Sequence, residues 1–288
     1  MTDAREHGEW RWDPSLYQGS ASFYARGRVA YPPSLVDRLV IHLGLDGHGR
    51  LLDVGCGPGS LTLPLSVHFE HVVGVDADAQ MLAEGERRAV AAGITNIDWV
   101  EARAEELRLD QGTFRVASMA QSFHWMDREV VARLLRQLLG DDGAVAYVHA
   151  TTHQGVDGTT SLTHPRPPWE RIDVLVMQFL GERRRAGRGF RELDAVREED
   201  RGQLEARIFR AEGFVGPTRL GVPGWVVTRS TDELVASVFS LSYAAPHLFG
   251  GRIGDFEHDL RTLLAQVSPT GDFSEEMRDI AVDVWRTR

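Results

Sequence analysis

The stretch Leu51-Leu52-Asp53-Val54-Gly55-Cys56-Gly57-Pro58-Gly59-Ser60, followed by Val72-Val73-Gly74-Val75-Asp76, decides how this chain folds. An apolar strand runs into a turn with glycine at every second position, and a second apolar strand ends in an acid seventeen residues beyond Gly59. Glycine lets the backbone turn tightly and approach a ligand with no Cβ in the way, and an acid at the tip of the next strand accepts both hydroxyls of a ribose. The unit therefore reads as nucleoside-binding. Dinucleotide folds usually carry G-x-G-x-x-G, with the pyrophosphate on the following helix N-terminus. Here the spacing is G-x-G-x-G, and Asp53 stands two residues before the first glycine.

Working outward, apolar residues Leu35, Val36, Leu39, Val40 and Leu43 fall at helical spacing before Gly44, a plausible stop. Beyond the glycine loop the pattern predicts a helix through Leu61 and Leu65, a helix over 79–92 closed by Gly93, and a strand over 97–100. A strand over 116–119, an amphipathic helix over 128–139 and a strand over 144–148 follow. Strands alternating with helices through short connections predict a parallel sheet covered on both faces. Residues 151–168 read as a Gly-, Thr- and Pro-rich loop, 172–180 as a helix, and 182–191 as an Arg-rich, Gly-broken insertion. Strand character returns over 214–227 and 280–285, with helices over 232–241 and 256–267 between. The expected fold class is α/β: a Rossmann-like, seven-stranded, mostly parallel sheet with helices on both faces and a partly helical cap. The whole of 1–288 reads as one domain, divided into a lid (10–34), a core (35–150), a substrate-cap insertion (151–213) and a C-terminal part completing the sheet (214–288).

A formal charge of −10 argues against a phosphate-backbone partner, because nucleic-acid binders gather basic residues into a positive footprint. All 32 basic residues are arginine, which excludes a P-loop lysine, a Schiff-base lysine and a lysine general base. Cys56 is the one cysteine, so an intrachain disulfide or a cysteine metal cluster is impossible. No apolar run reaches membrane-spanning length, and 1–13 is polar and mixed in charge, so the expectation is a cytoplasmic protein with no membrane partner.

The Asp-x-Gly-x-Gly-x-Gly loop with its strand-terminal acid resembles the glycine motif of class I S-adenosylmethionine (SAM) methyltransferases. The resemblance implies SAM as cofactor, held by Gly55, Gly57, Gly59, Asp76 and the adjoining Ala77, with Asp53 organising the loop and reaching the methionine amine through water. The segment 101–107 is similar to the family's adenine segment, which implies the Ala104 N–H at the base edge and Glu105 as acceptor of the exocyclic amine; Arg103 stands where the family often has Asp. The segment 114–127, with Ala120-Gln121 followed by His124-Trp125 and Asp127, resembles the type 11 subset related to trans-aconitate methyltransferases, and implies Gln121 at the methionine amine. Residues 17–28 resemble that subset's cofactor lid, implying Arg28 at the methionine carboxylate with Tyr17 and Tyr24 beside it.

The expected activity is methyl transfer from SAM to a small-molecule acceptor, at a carboxylate or hydroxyl oxygen. His124 is the candidate general base, because histidine titrates near neutrality and the loop after the fourth strand faces the methyl; packing of the His-Trp pair is the alternative. His149 and His153 are weaker candidates; their His-x-x-x-His spacing suggests metal ligation, but no helix or third ligand supports it, and no metal is expected. The His164-to-Trp169 stretch is a candidate wall over the acceptor, and Arg183, Arg184, Arg185 and Arg188 a candidate lure for an anion. The rival readings are a non-catalytic SAM-binding or cyclase-type protein and, on a similar fold, a dinucleotide-dependent oxidoreductase. Oligomeric state is not readable.

Overall fold

The computed structural model describes residues 13–287 apart from 111, 159, 183, 187–188 and 192–197; Arg183 and Arg188 thus lie outside the described residues. In chain order the first half forms α1 (Ala21–Gly27), α2 (Pro33–Leu43), β1 (Arg50–Val54), α3 (Thr62–Ser66), β2 (His71–Asp76), α4 (Ala79–Ala91), β3 (Ile97–Glu101), β4 (Phe114–Ala120), α5 (Arg128–Leu138) and β5 (Leu139–His149). The second half forms α6 (Trp169–Leu180), β6 (Arg184–Ala186), β7 (Gly189–Arg191), α7 (Glu198–Ala211), β8 (Val215–Val222), β9 (Val226–Ser230), α8 (Thr231–Phe239), α9 (Pro246–Phe249), α10 (Ile253–Val267), β10 (Asp272–Glu276) and β11 (Ile280–Arg286).

Seven strands make one sheet in the order β3-β2-β1-β4-β5-β11-β8. The first five are parallel, with Leu51 opposite both Val72 and Val116 and Ala117 opposite Val145. β11 runs antiparallel between β5 and β8. A sheet covered on both faces needs apolar residues on both sides of each strand, which β1 supplies with Leu51 on one face and Leu52 on the other. One face packs Leu52, Met119, Tyr147 and Trp285 against α5 and α7; the other packs Leu51, Val116, Val148 and Val282 against α2 and α3. Local signals set the helix starts. Asp78 caps α4 by accepting from the N–H groups of Gln80 and Met81, Pro33 opens α2, and Ser230 with Glu233 forms a reciprocal capping box on α8.

The fold class is as expected; the boundaries of the second half are not. The stretch 151–213 is not all insertion, because α7 lies on the sheet, with Ile208 and Phe209 buried against Phe123 and Trp285. The stretch 214–227 is two strands in two sheets: β8 edges the main sheet, and β9 pairs antiparallel with β10, an acid-rich strand that the sequence pattern passes over. Of residues 214–288, only β8 and β11 complete the sheet. The helices α8, α9 and α10 join α6 in a separate apolar cluster around Phe239, Phe249 and Phe256.

A buried ion pair ties this cap together. Arg229 (4% exposed) and Glu275 (2%) meet at 2.8 Å across the β9–β10 ribbon. Arg229 also donates to the carbonyls of Gly27 and His153, while Glu275 accepts from the Gly155 N–H and the Trp169 indole. The N-terminal helix is locked to the same body: a Cβ on Gly27 would stand 2.2 Å from the Ser237 nitrogen, so only glycine lets α1 lie this close to α8. Ser20 donates to the Phe239 carbonyl at 2.8 Å. Removing one partner of a buried pair leaves an uncompensated charge, so Glu275→Ala is expected to lower stability by about 3–5 kcal/mol, read from its urea unfolding midpoint.

Candidate functional site

The glycine loop leaves β1 with Gly55, Gly57 and Gly59 all at positive φ (68°, 54° and 75°), conformations that L side chains rarely adopt. The N–H groups of Gly55 and Cys56 both donate to the Val75 carbonyl, which pins the loop to the end of β2. The three glycines do different work. At Gly55 a Cβ would collide with Ser122 at 2.4 Å; at Gly59 it would press on the Trp99 indole at 3.0 Å; at Gly57 it would meet nothing and project into open space. That space is a cleft of about 730 Å³, part of it open to solvent, within the range of small-molecule sites. Its walls come from the carboxyl ends of β1 to β4, and its roof is Leu16, Tyr17 and Tyr24.

Nine of the sequence-predicted residues line this cleft together: Tyr17, Tyr24, Gly55, Gly57, Asp76, Ala77, Ala104, Glu105 and Gln121. Asp76 accepts from the Gly57 N–H at 2.8 Å and the Asp78 N–H at 3.0 Å. A carboxylate offers about four lone-pair sites, so capacity for two more hydroxyl donors remains. Burial pushes its pKa up to about 6, against the pull of those two N–H bonds. Ala104 begins a single turn of 3₁₀ helix, which leaves its N–H without a partner within that turn. Gln121 is held at φ 58°, a left-handed conformation uncommon for a side-chain-bearing residue, where the chain leaves β4 for the cleft. Glu105 lines the cleft, but one oxygen accepts from the Asp127 N–H at 2.7 Å and the other lies 3.6 Å from Arg103.

Four predicted residues are not among the lining. Gly59 packs behind the loop on Trp99. Asp53 is buried beneath it, accepting from Thr62 at 2.6 Å and Ser118 at 2.7 Å, so it ties β1 to α3 and β4; burial raises its pKa to about 6 against those bonds. Arg28 lies behind Tyr24, its guanidinium 4.5 Å from the ring centroid, donating to the side chain and carbonyl of Ser240. His124 sits in the turn 123–125 with its ring 5.1 Å from that of Trp125, and it is Trp125 that lines the cleft.

His153 meets Arg28 at 3.5 Å, and burial together with Arg28 and Arg229 holds its pKa well below the usual range, so it stays neutral. His149 pairs with Asp283 at 3.1 Å; burial of Asp283 is outweighed by Arg219 and His149, which bring its pKa to about 2. Among the described residues no group of three His, Cys, Asp or Glu side chains gathers as a metal site. The lining residues outside the predicted set include Leu16, Met81, Ser122, Trp125 and Met126. Trp125 was legible in the His-Trp pair; the others carry no distinguishing signal.

A parallel sheet with one reversed penultimate strand, a loop of three positive-φ glycines and a strand-end acid beside an open cleft define a class: the α/β domains of methyltransferase-type fold. Known proteins agree. Residues 51–141 match the family described as "Methyltransferase domain". Over 131 residues the chain is 37% identical to an uncharacterized methyltransferase of Mycobacterium tuberculosis, covering 44% of this chain and 50% of that one. It is 27% identical to the probable S-adenosylmethionine-dependent methyltransferase CRG1 of Saccharomyces cerevisiae over 130 residues, 44% of each chain. The chain thus spans about half the length of the curated relatives it matches. A solved structure described as a putative type II methyltransferase from Anaeromyxobacter dehalogenans superposes with a TM-score of 0.52 at 21% identity, over 90% of this chain and 96% of that one. Residues 51–141 are thus similar to a methyltransferase domain, and a probable SAM-dependent methyltransferase is among the chain's relatives. No helix among the described residues is long and apolar enough to cross a membrane.

The raised pKa of Asp76 sets opposite trends for stability and ligand binding. With a folded value near 6 above an ordinary 3.8, its contribution to stability is complete below about pH 4 and is lost as pH rises through 6. In ligand-free protein, Asp76→Asn is therefore expected to raise stability at pH 8 by about 1–3 kcal/mol, a gain absent below pH 4, as thermal unfolding across pH would show. The same variant should bind SAM about 2–4 kcal/mol more weakly, and wild-type affinity should fall as pH drops through 6, both measurable by calorimetric titration.

Proposed function

We propose that the whole chain is a SAM-dependent methyltransferase whose acceptor is an uncharged small molecule methylated at a hydroxyl oxygen. The observation that carries this choice over a carboxylate acceptor is the charge of the cleft wall. Asp76 and Glu105 face one guanidinium, Arg103, which already lies 3.6 Å from Glu105 and 3.4 Å from Glu106. With Arg103 so paired, the lining offers an anionic acceptor little positive charge, whereas Leu16, Tyr17, Trp125 and Met126 offer a neutral one an apolar surface. The pattern from Ala120 to Asp127 supports kinship with the type 11 subset, but the acidic substrates of trans-aconitate relatives do not suit this wall. The net charge of −10 supports a small molecule over nucleic acid, and the lone cysteine supports a cytoplasmic setting. We read lid, core and cap as parts of one domain.

In this reading Asp76 holds the ribose hydroxyls, the Ala104 N–H meets the adenine edge, and Gln121 orients the amino-acid tail. SAM supplies a methyl group on a sulfonium, already activated for displacement. What remains for the chain is alignment and exclusion of water, and orientation contributes about 7–11 kcal/mol in favourable cases. A hydroxyl acceptor must also lose a proton, and His124 is the proposed base.

Three measurements test the reading. Titration should show binding of SAM and S-adenosylhomocysteine but not NAD, and tighter binding of NAD would overturn it. Incubation with SAM and a panel of phenols, alcohols and carboxylic acids should release S-adenosylhomocysteine with hydroxyl compounds; turnover confined to the acids would reverse the acceptor assignment. With a hydroxyl acceptor, His124→Gln is expected to lower turnover about 10²- to 10⁴-fold while sparing SAM affinity; a loss of SAM affinity instead would mark a packing role.

A further inference from the structure

Three aromatic rings share the cleft wall, and they are not equivalent. Tyr17 stands edge-on to Tyr24 (centroids 6.2 Å apart, planes at 82°) and to Trp125 (6.1 Å, 76°), forming one continuous aromatic surface from the lid to the turn after β4. The face of an aromatic ring is negative and attracts a cation within about 6 Å, with indole the strongest. Tyr24 already has such a cation: the Arg28 guanidinium lies 4.5 Å from its centroid, fixed there by two hydrogen bonds to Ser240 at 2.8 and 3.0 Å. A ring polarised by one full charge is a poor partner for a second. Tyr24 is therefore a buttress, and among the described residues no guanidinium stands over Trp125 or Tyr17, whose π-electrons face a ligand in the cleft.

The electrostatics of the cleft point the same way. Its ionisable lining is two carboxylates, Asp76 and Glu105, against one guanidinium, Arg103. The phenol of Tyr17 is held neutral by burial and by its neighbour Tyr24, so it supplies a ring face and not a phenolate. A cleft with a net negative wall and two available ring faces favours a cation over a neutral group of the same shape.

We infer that Trp125 and Tyr17 recognise the positive charge of the SAM sulfonium, so that the cleft binds SAM more tightly than S-adenosylhomocysteine. This rests on the proposed reading of the cleft as the SAM site. The ammonium and carboxylate of the amino-acid tail are common to both ligands, so the sulfonium alone separates them. Methyl transfer leaves the carbon–sulfur electron pair on sulfur and turns it into a neutral thioether, and the wall then loses its hold on the product.

The test is calorimetric titration of SAM and of S-adenosylhomocysteine at pH 8, with wild type, Trp125→Leu, Tyr17→Leu, Trp125→Phe and Tyr17→Phe. Wild type is expected to prefer SAM. Each leucine variant should lose SAM affinity about 3- to 30-fold, with S-adenosylhomocysteine changed less than about 2-fold, so that the preference collapses. Tyr17→Phe keeps a ring face and should keep the preference, while Trp125→Phe, a weaker face, should reduce it about 2- to 3-fold. Equal losses for both ligands would show that the rings only pack and would overturn the inference, as would an unchanged ratio or a wild type without preference. If the leucine variants fail to fold, Trp125→Phe decides by the same ratio. Failure of wild type to bind either ligand would overturn the SAM reading itself, a distinct result.

Discussion

The Arg229–Glu275 pair is the contact through which the roof of the cleft is held. Both ions are buried from solvent, so their remaining donors and acceptors are matched by protein partners. Arg229 takes the carbonyls of Gly27 and His153, and Glu275 takes the Gly155 N–H and the Trp169 indole. One pair thereby fixes the end of the lid helix, the loop leaving β5, the start of α6 and the β9–β10 ribbon. Tyr17 and Tyr24 overhang the cleft because α1 is held there.

The floor obeys a different constraint, the absence of Cβ atoms. Gly55 lets Ser122 approach, Gly59 admits the Trp99 indole behind the loop, and Gly57 opens the cleft itself. Asp53 and Asp76 share the loop but have separate duties. Asp53 spends both oxygens on Thr62 and Ser118 and acts through the scaffold, while Asp76 keeps capacity for a ligand. Both carry a desolvation cost, tolerated in one case for rigidity and in the other for binding.

The core was legible in the sequence because its signals are local. The glycine spacing, the acid after Val75 and the alternation of short strands with capped helices lie within a few residues of each other, and β1 to β5 follow from them. The second half was not, since its elements are defined by distant partners. The helix α7 is rich in Arg and Glu and shows its core role only through Ile208 and Phe209, and β10 is an acid-rich strand that exists because β9 pairs with it. At the site, Asp76 and Ala104 follow from motif position. Arg28 does not, because the serine that engages it is more than two hundred residues away in the chain. The left-handed Gln121 is invisible to any pattern of residue types.

The place of β11 bears on how the chain is made. It is the last of the described strands in sequence but lies inside the sheet, and through it β8 joins β5. Domains emerge from the ribosome amino end first, so the glycine loop and five parallel strands are available early, while β8 has no neighbour in the sheet until residues 280–286 appear. The roof waits as well, since α1 docks on α8 and the β9–β10 ribbon, which follow it by about two hundred residues. The nascent chain therefore holds a floor without a ceiling until β9 and α8 have emerged. Such distant pairings carry a large loop-closure entropy and slow the final step of folding.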